Sequence, residues 1–432
     1  MDVFNDRISL DEAAAIVQDA HRRNLLDQAP SAIFHHLGLM RARLAALRAA
    51  FPNGTLHAVA VKANPVLEIL REVVRSGAGL EAASIEEVQL AFAAGCLAQR
   101  VVFDSPAKTA DEIQQALCWG VYLNADNFDE LDRIAAARKT IESKSIVGLR
   151  VNTLVGGGTI QHTSVSDATS KFGVPLLSGR PQIMAAFAKH DWLAGLHVHV
   201  GSQGCGPTLL AEAADRISAL RKAIIAETSR NIAYVDLGGG LPTAYRTGDL
   251  APTPAEYRAV LEQRVPDLFT SGVRLITEFG RAIHGNCGIA ASRVEYVKPA
   301  LRLAVIHLGA DFLLRPVYRP EDWMHEFFVL DRQGRPKTGP PRPLTIAGPL
   351  CFAGDIVARD VLLPPVEQGD WIVIRDVGAY TLSMWSRHCN RGIPVVVGFD
   401  PQQPDSLRIM RRGETPTDVV RFWSRDHSCG TP

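Results

Sequence analysis

The 432-residue sequence has no charge excess: 46 Lys and Arg stand against 46 Asp and Glu. Proteins that bind nucleic acid or an anionic membrane surface normally carry a basic excess, so neither partner is expected. No apolar run approaches the about 18 residues that a membrane-spanning helix needs. The opening stretch, MDVFNDRISLDEAAAIVQDA, has acids where a secretory signal needs a basic start and an apolar core. The seven cysteines are odd in number, scattered and without a CxxC pair. That excludes a zinc knuckle and a disulfide framework, and it points to a reducing, cytoplasmic setting. Apolar residues make up 47% and charged residues 21%, so disorder over most of the length is excluded as well. At this length two domains are expected, or three.

What is present is a rhythm. Ser9 with Glu12 three residues on has capping-box spacing and predicts a helix over 9–30. A second, amphipathic helix is predicted over 36–51, closed by Pro52-Asn53-Gly54. Short apolar runs then alternate with helical stretches: HAVAVK (57–62), GLEAAS (79–84), RVVFD (100–104), GVYLN (120–124), IVGLRVN (146–152), GLHVHV (195–200), IAYVDL (232–237) and VRLITEF (273–279). Continuous apolar strands between helices indicate a parallel sheet. Eight such units match a (β/α)8 barrel, with a doubly wound open sheet as the alternative. After about residue 285 the pattern becomes short strands with turn residues, among them a hairpin turn at Asp331-Arg332-Gln333-Gly334. The expected division is therefore an N-terminal helical segment (1–31), a barrel (32–285) and a β domain, barrel or sandwich (286–432).

In such barrels chemistry sits at the C-terminal ends of the strands. The first run ends Val61-Lys62-Ala63-Asn64-Pro65. A desolvated Lys there is the amine that Schiff-base chemistry uses; a solvated strand-end Lys is the bland alternative. Glu81 on the second run and Arg150 on the fifth are each also readable as members of a structural ion pair. His197 and His199 lie two apart, on one face of the sixth. They read as a metal-binding pair, as one ring packed on a planar cofactor beside a structural partner, or as satisfied core histidines. Gly201-Ser202-Gln203-Gly204 follows as a small polar loop. The seventh run ends Asp236-Leu237-Gly238-Gly239-Gly240-Leu241-Pro242. Three glycines let backbone amides converge on an anion, although a tight turn needs no ligand. The eighth ends Thr277-Glu278-Phe279-Gly280-Arg281, a carboxylate and a guanidinium suited to a charged ligand.

Together these stretches resemble the fold-type III pyridoxal-phosphate decarboxylases, the family of diaminopimelate and eukaryotic-type ornithine decarboxylases. VKANP, HVHVGSQ, DLGGGLP, EFGR, CFAGD and GAYTLSMW occur in the family's order between about residues 30 and 400. The resemblance implies an alanine-racemase-like (β/α)8 barrel followed by a β domain, with pyridoxal 5′-phosphate as cofactor and no metal. It implies that Lys62 carries the cofactor, that His199 stacks on its ring, and that Ser202, Gly238, Gly239, Gly240, Gly280, Arg281 and Tyr380 hold its phosphate end. Glu278 would keep the ring nitrogen protonated, with Glu81 and Arg150 beside Lys62 and the ring face. It also implies a homodimer with shared active sites, in which the partner supplies Cys351 and Asp355. The substrate amine would take the place of Lys62, CO2 would leave, and Cys351 would reprotonate the α-carbon.

The sequence departs from the diaminopimelate enzymes where the side chain of the substrate would lie. Their CESGD is CFAGD here, so Phe352 stands where a Glu contacts the distal ammonium. Their RPALY-like segment is Arg315-Pro316-Val317-Tyr318, one residue short, and the Pro of EPGR is Phe279. An unpaired buried ammonium costs several kcal/mol. The reading is a diaminopimelate-type amino-acid decarboxylase with altered side-chain specificity, its substrate pocket including Arg281, Arg315, Tyr318, Phe352, Asp355 and Tyr380. True meso-diaminopimelate decarboxylation, yielding L-lysine, is the alternative. A racemase would need a Tyr base in place of the Cys351/Asp355 motif. A metal-dependent hydrolase barrel usually carries its HxH on the first strand, which here ends in Lys62. A catalytically dead binding protein would not keep each expected catalytic residue.

Overall fold

In the computed structural model, residues 2–26, 29–403 and 406–425 are described. The chain forms two compact units. One comprises residues 41–243 and 250–283 with the first few residues; the other comprises 6–40, 244–249 and the chain from 284 onward.

The first unit is a closed barrel. Its strands are Leu56–Ala60, Gly79–Ala82, Val101–Phe103, Tyr122–Ala125, Val147–Asn152, Leu193–His197, Tyr234–Asp236 and Arg274–Thr277. Each is parallel to the next. The eighth returns to the first through Ile276↔Leu56 and Thr277↔His57. That closure rules out the open doubly wound sheet. Nearly every strand residue is buried, which is why the runs read as continuously apolar rather than alternating. The helices between strands start where a side-chain cap follows a strand: Ser84, Thr109, Asn127 and Thr253 each accept a hydrogen bond from the N3 backbone amide. Two glycines interrupt the apolar runs for a packing reason. A Cβ at Gly148 or Gly195 would come within 2.2 Å of the Tyr234 side chain, whose hydroxyl donates to Asn124 Oδ1 at 2.6 Å.

The second unit holds two sheets. The six-stranded one runs in the order Phe327–Leu330, Trp371–Arg375, Gly288–Arg293, Ser31–His36, Val395–Phe399, Arg408–Arg411. The four-stranded one runs Tyr296–Lys298, Leu303–Val305, Arg342–Ala347, Ile356–Leu363. The turn expected at 331–334 forms, with Gly334 N–H donating to Asp331 O and Gly334 at φ +80. The N-terminal helix spans Leu10–Arg22 and carries the expected Ser9/Glu12 capping box. It stops short of residue 30 because Asn24 turns to φ +58; residues 27 and 28 of the expected helix, like 426–432 of the expected β domain, lie outside the described residues. Ala13, Ala14, Val17 and Ala20 bury one face of this helix in the core that holds Phe34, Trp371, Val373 and Phe399. Residues 6–40 thus group with the second unit, whereas the sequence pattern divides the chain at 31 and 285. No helix among the described residues is long and apolar enough to cross a membrane.

Candidate active site

The strand ends of the barrel gather ionisable groups. Lys62 lies in a single turn, Val61–Ala63, that follows the first strand. Its Nζ is 2.6 Å from Oε1 of Glu81, which is fully buried on the second strand, while the Lys62 side chain keeps 37% of its surface exposed. The amine is therefore paired and still reachable. Glu81 pays for this position in acidity: burial pushes it well above the ordinary carboxylate range, and Lys62 offsets only part.

Asp104, just past the third strand, is buried as well. Arg150 approaches it at 3.8 Å and Asp126 at 4.0 Å, with its guanidinium carbon 4.4 Å from the centre of the Phe172 ring. Burial alone would raise Asp104, but His197, Lys62 and Arg150 outweigh it and hold the carboxyl below its usual range. Glu278 goes the other way: burial, then the charge of Asp104, push it up to about 8. Asp236 is likewise raised well above normal by burial and by Glu278. Five carboxylates, Glu81, Asp104, Asp126, Asp236 and Glu278, thus share a buried strand-end region with Lys62 and Arg150, and burial favours the protonated form of Glu81, Asp236 and Glu278.

The two histidines have different hydrogen-bond surroundings. His199 Nδ1 accepts the Gly239 N–H at 3.0 Å, so that nitrogen carries no proton and the ring is neutral. Burial, with Arg150 and Lys62, depresses its basicity strongly. His197 instead lies between acids, 3.5 Å from Asp104 and 3.6 Å from Glu278. Both rings stand near the Glu278 carboxylate, for His199 Nδ1 is 3.8 Å from its Oε2, but they differ in their other partners. His197, Asp104 and Glu278 do approach within 4.8 Å of one another.

The glycine run is shaped by its neighbours. Gly238 and Gly240 sit at φ +66 and +109, where only glycine is unstrained. At Gly239 a Cβ would lie 2.7 Å from the carbonyl oxygen of Glu278. Asp236 Oδ1 accepts the Gly238 N–H at 2.9 Å and ties the loop to its strand. Across from it, the buried Arg281 donates to Ser202 Oγ from Nε at 3.2 Å and from Nη2 at 3.1 Å. Gly280 is packed so closely that a Cβ would meet that of Ala63 at 2.7 Å.

The remaining residues expected at the site belong to the second unit. Arg315 is held between two rings, 4.7 Å from that of Trp323 and 4.8 Å from that of Tyr380. Tyr318 and Phe352 stack with centres 5.7 Å apart at 17°, and His388 meets Phe352 edge-on at 6.4 Å. Cys351 is exposed. Asp355, also expected among the substrate contacts, makes its hydrogen bonds within this unit. It is buried, and its two oxygens accept the Ala310 and Leu350 amides at 2.6 and 2.7 Å, so it braces a loop. Asp104 and Asp126 escaped the sequence reading. The available signal was an acid closing an apolar run, RVVFD, as Lys62 closes the first.

Residues 37–285 match the family described as the pyridoxal-binding domain of pyridoxal-dependent decarboxylases. Diaminopimelate decarboxylase of Pseudomonas aeruginosa is 32% identical over 353 residues, 81% of this chain and 82% of that protein. The enzyme of the same name from Archaeoglobus fulgidus is 32% identical over 366 residues, covering 82% and 84%. The crystal structure of Helicobacter pylori diaminopimelate decarboxylase complexed with L-lysine superposes with a TM-score of 0.82 at 26% identity, covering 93% of this chain and 98% of that one.

Proposed function

The chain belongs to the pyridoxal-dependent decarboxylases, and we propose that it removes the α-carboxylate of a diaminopimelate-like amino acid whose far end carries no free ammonium. The strand-end residues fit pyridoxal phosphate on three counts. The glycine run packs so tightly on Val198, Glu278 and Gly201 that no side chain is tolerated, which leaves its backbone bare toward a ligand. Arg281 and Ser202 present a donor pair to an anion. Glu278 Oε1 is a buried acceptor with no hydrogen-bond partner. When bound, the cofactor supplies the electron sink for the bond that loses its carboxylate.

The chain supplies position and protons. Lys62 would hold the cofactor through its amine, oriented by Glu81. Gly238, Gly239, Gly240, Gly280, Arg281 and Ser202 would hold the phosphate, with Tyr380 adding its hydroxyl. Glu278 would accept a hydrogen bond from the ring nitrogen, and His199, neutral by its bond to Gly239, would pack on the ring without opposing its charge. Arg150 would lie beside the ring face, fixed by Asp104 and Phe172. The exposed Cys351 thiol would deliver a proton to the α-carbon. In keeping with the family resemblance, we infer a homodimer in which that thiol comes from the second copy.

One observation carries the substrate reading. Phe352, directly after Cys351, stacks on Tyr318, which supports an aromatic pair where, by the family resemblance, a distal ammonium would need a carboxylate. Arg315, clamped between Trp323 and Tyr380, is suited to a distal carboxylate. The names of the relatives favour a second reading, meso-diaminopimelate itself. 2-Aminopimelate differs from it only by lacking the far amine. The test is CO2 release from both by the protein loaded with pyridoxal phosphate, with Lys62→Ala as control. A higher kcat/KM on 2-aminopimelate is expected. A preference for meso-diaminopimelate would install the second reading. A protein with no visible cofactor band, or one whose band survives Lys62→Ala, would overturn both.

A further inference from the structure

One buried titratable group has no task in the chemistry proposed above. His197 ends the sixth strand with no exposed surface. Neither of its ring nitrogens has a hydrogen-bond partner among the described residues, and neither do Asp104 Oδ1, Glu278 Oε1 and Asp236 Oδ2. Its Nε2 stands almost midway between two carboxylates, 3.5 Å from Asp104 Oδ2 and 3.6 Å from Glu278 Oε1. Asp236 lies in register with it on the neighbouring strand. Lys62, Glu81, Arg150, His199 and Tyr234 are the other charged and titratable groups that face this cluster. Polar atoms with no hydrogen-bond partner are rare in a protein interior and call for a reason.

We infer that His197 is a positioning residue that shares one proton between Asp104 and Glu278 and thereby sets the charge on Glu278. An imidazole N–H serves one acceptor at a time. The two distances differ too little for geometry to choose between them. With the N–H turned to Asp104, Glu278 stands uncompensated beside another acid and takes up a proton of its own. With the N–H turned to Glu278, that carboxylate stays anionic and can accept from a ring nitrogen. His199 cannot do this work, because the Gly239 amide occupies its Nδ1. Asp104 is the resting acceptor of that N–H, because His197, Lys62 and Arg150 hold its carboxylate charged. The inference rests on the assignment of Glu278 to the ring nitrogen.

The test is the visible absorption of the cofactor-loaded protein, titrated between about pH 5 and 10. His197→Phe removes the shared proton. His197→Gln keeps an amide N–H near the Nε2 position but cannot ionise, and its near-equal size guards against loss of folding. The midpoint of the absorbance change is expected to move by about one pH unit or more in His197→Phe, and by less in His197→Gln. Glu278→Gln is expected to abolish the dependence on His197. Titrations of wild type and both His197 variants that coincide, while Glu278→Gln still changes the spectrum, would overturn the inference and leave the Glu278 assignment standing. A Glu278→Gln titration identical to wild type would overturn the assignment and the inference with it.

Discussion

Replacing Glu278 by Gln is expected to stabilise the cofactor-free protein in alkaline solution while disabling the enzyme. Burial raises the Glu278 carboxyl from 4.5 to about 8. Across that window the folded chain holds a proton that the unfolded chain has released. Stability therefore falls as pH rises from about 4.5 to about 8, and the full penalty is present above it. At about 1.4 kcal/mol per pH unit the penalty reaches about 5 kcal/mol at most. Gln keeps the shape and removes the charge. Calorimetry of the cofactor-free protein should show the Glu278→Gln midpoint near wild type at about pH 4.5 and higher by about 5 °C at about pH 9. Decarboxylation by the loaded variant should fall about 100-fold, because the counter-charge that develops with the reaction is gone. A stability difference that ignores pH, or a variant less stable than wild type at pH 9, would refute the argument that burial of this carboxylate governs the site.

Three further outcomes follow from the same geometry. Phe352→Glu should raise kcat/KM on meso-diaminopimelate relative to 2-aminopimelate by about 10- to 100-fold, the worth of one charge-assisted hydrogen bond; an unchanged ratio would remove Phe352 from the specificity pocket. Gly239→Ala, whose Cβ would press on the Glu278 carbonyl oxygen, should cost about 1–3 kcal/mol in denaturant unfolding and weaken cofactor binding in a fluorescence titration. Mixing inactive Lys62→Ala with inactive Cys351→Ala should restore about one quarter of wild-type CO2 release, since half of randomly paired dimers carry one intact site of two. A mixture that stays at baseline would mean that the sites are not shared.

The N-terminal helix shows how far local pattern reaches. Ser9 and Glu12 mark its start because a capping box needs only residues three apart. Its docking partners, Phe34, Trp371 and Phe399, lie up to several hundred residues away and leave no local trace. Ser31–His36 is a harder case. It is a central strand, antiparallel to Gly288–Arg293 and parallel to Val395–Phe399, yet in sequence it looks like the lead-in to the next helix. At the strand ends, Lys62, Glu81, Arg150, His199, Glu278 and Arg281 stand out because each is a polar residue on or just after an apolar run. Asp104 has the same signature but carries little weight in sequence, since an acid after a strand is also an ordinary turn residue.

By itself, then, the sequence determined the order of elements and the polar residues that close them. Alternating apolar runs and capped helices can bury their surfaces only as a parallel sheet covered by helices, and that constraint is local and periodic. Only the tertiary structure decided that the sheet closes on itself, that His199 is neutral while His197 stands between two acids, and that Asp355 turns inward to brace a loop. Those outcomes depend on which distant carbonyl, amide or carboxylate is brought within about 4 Å and on how much water is excluded there. Desolvation and long-range pairing are properties of the assembled site, and no spacing within the chain encodes them.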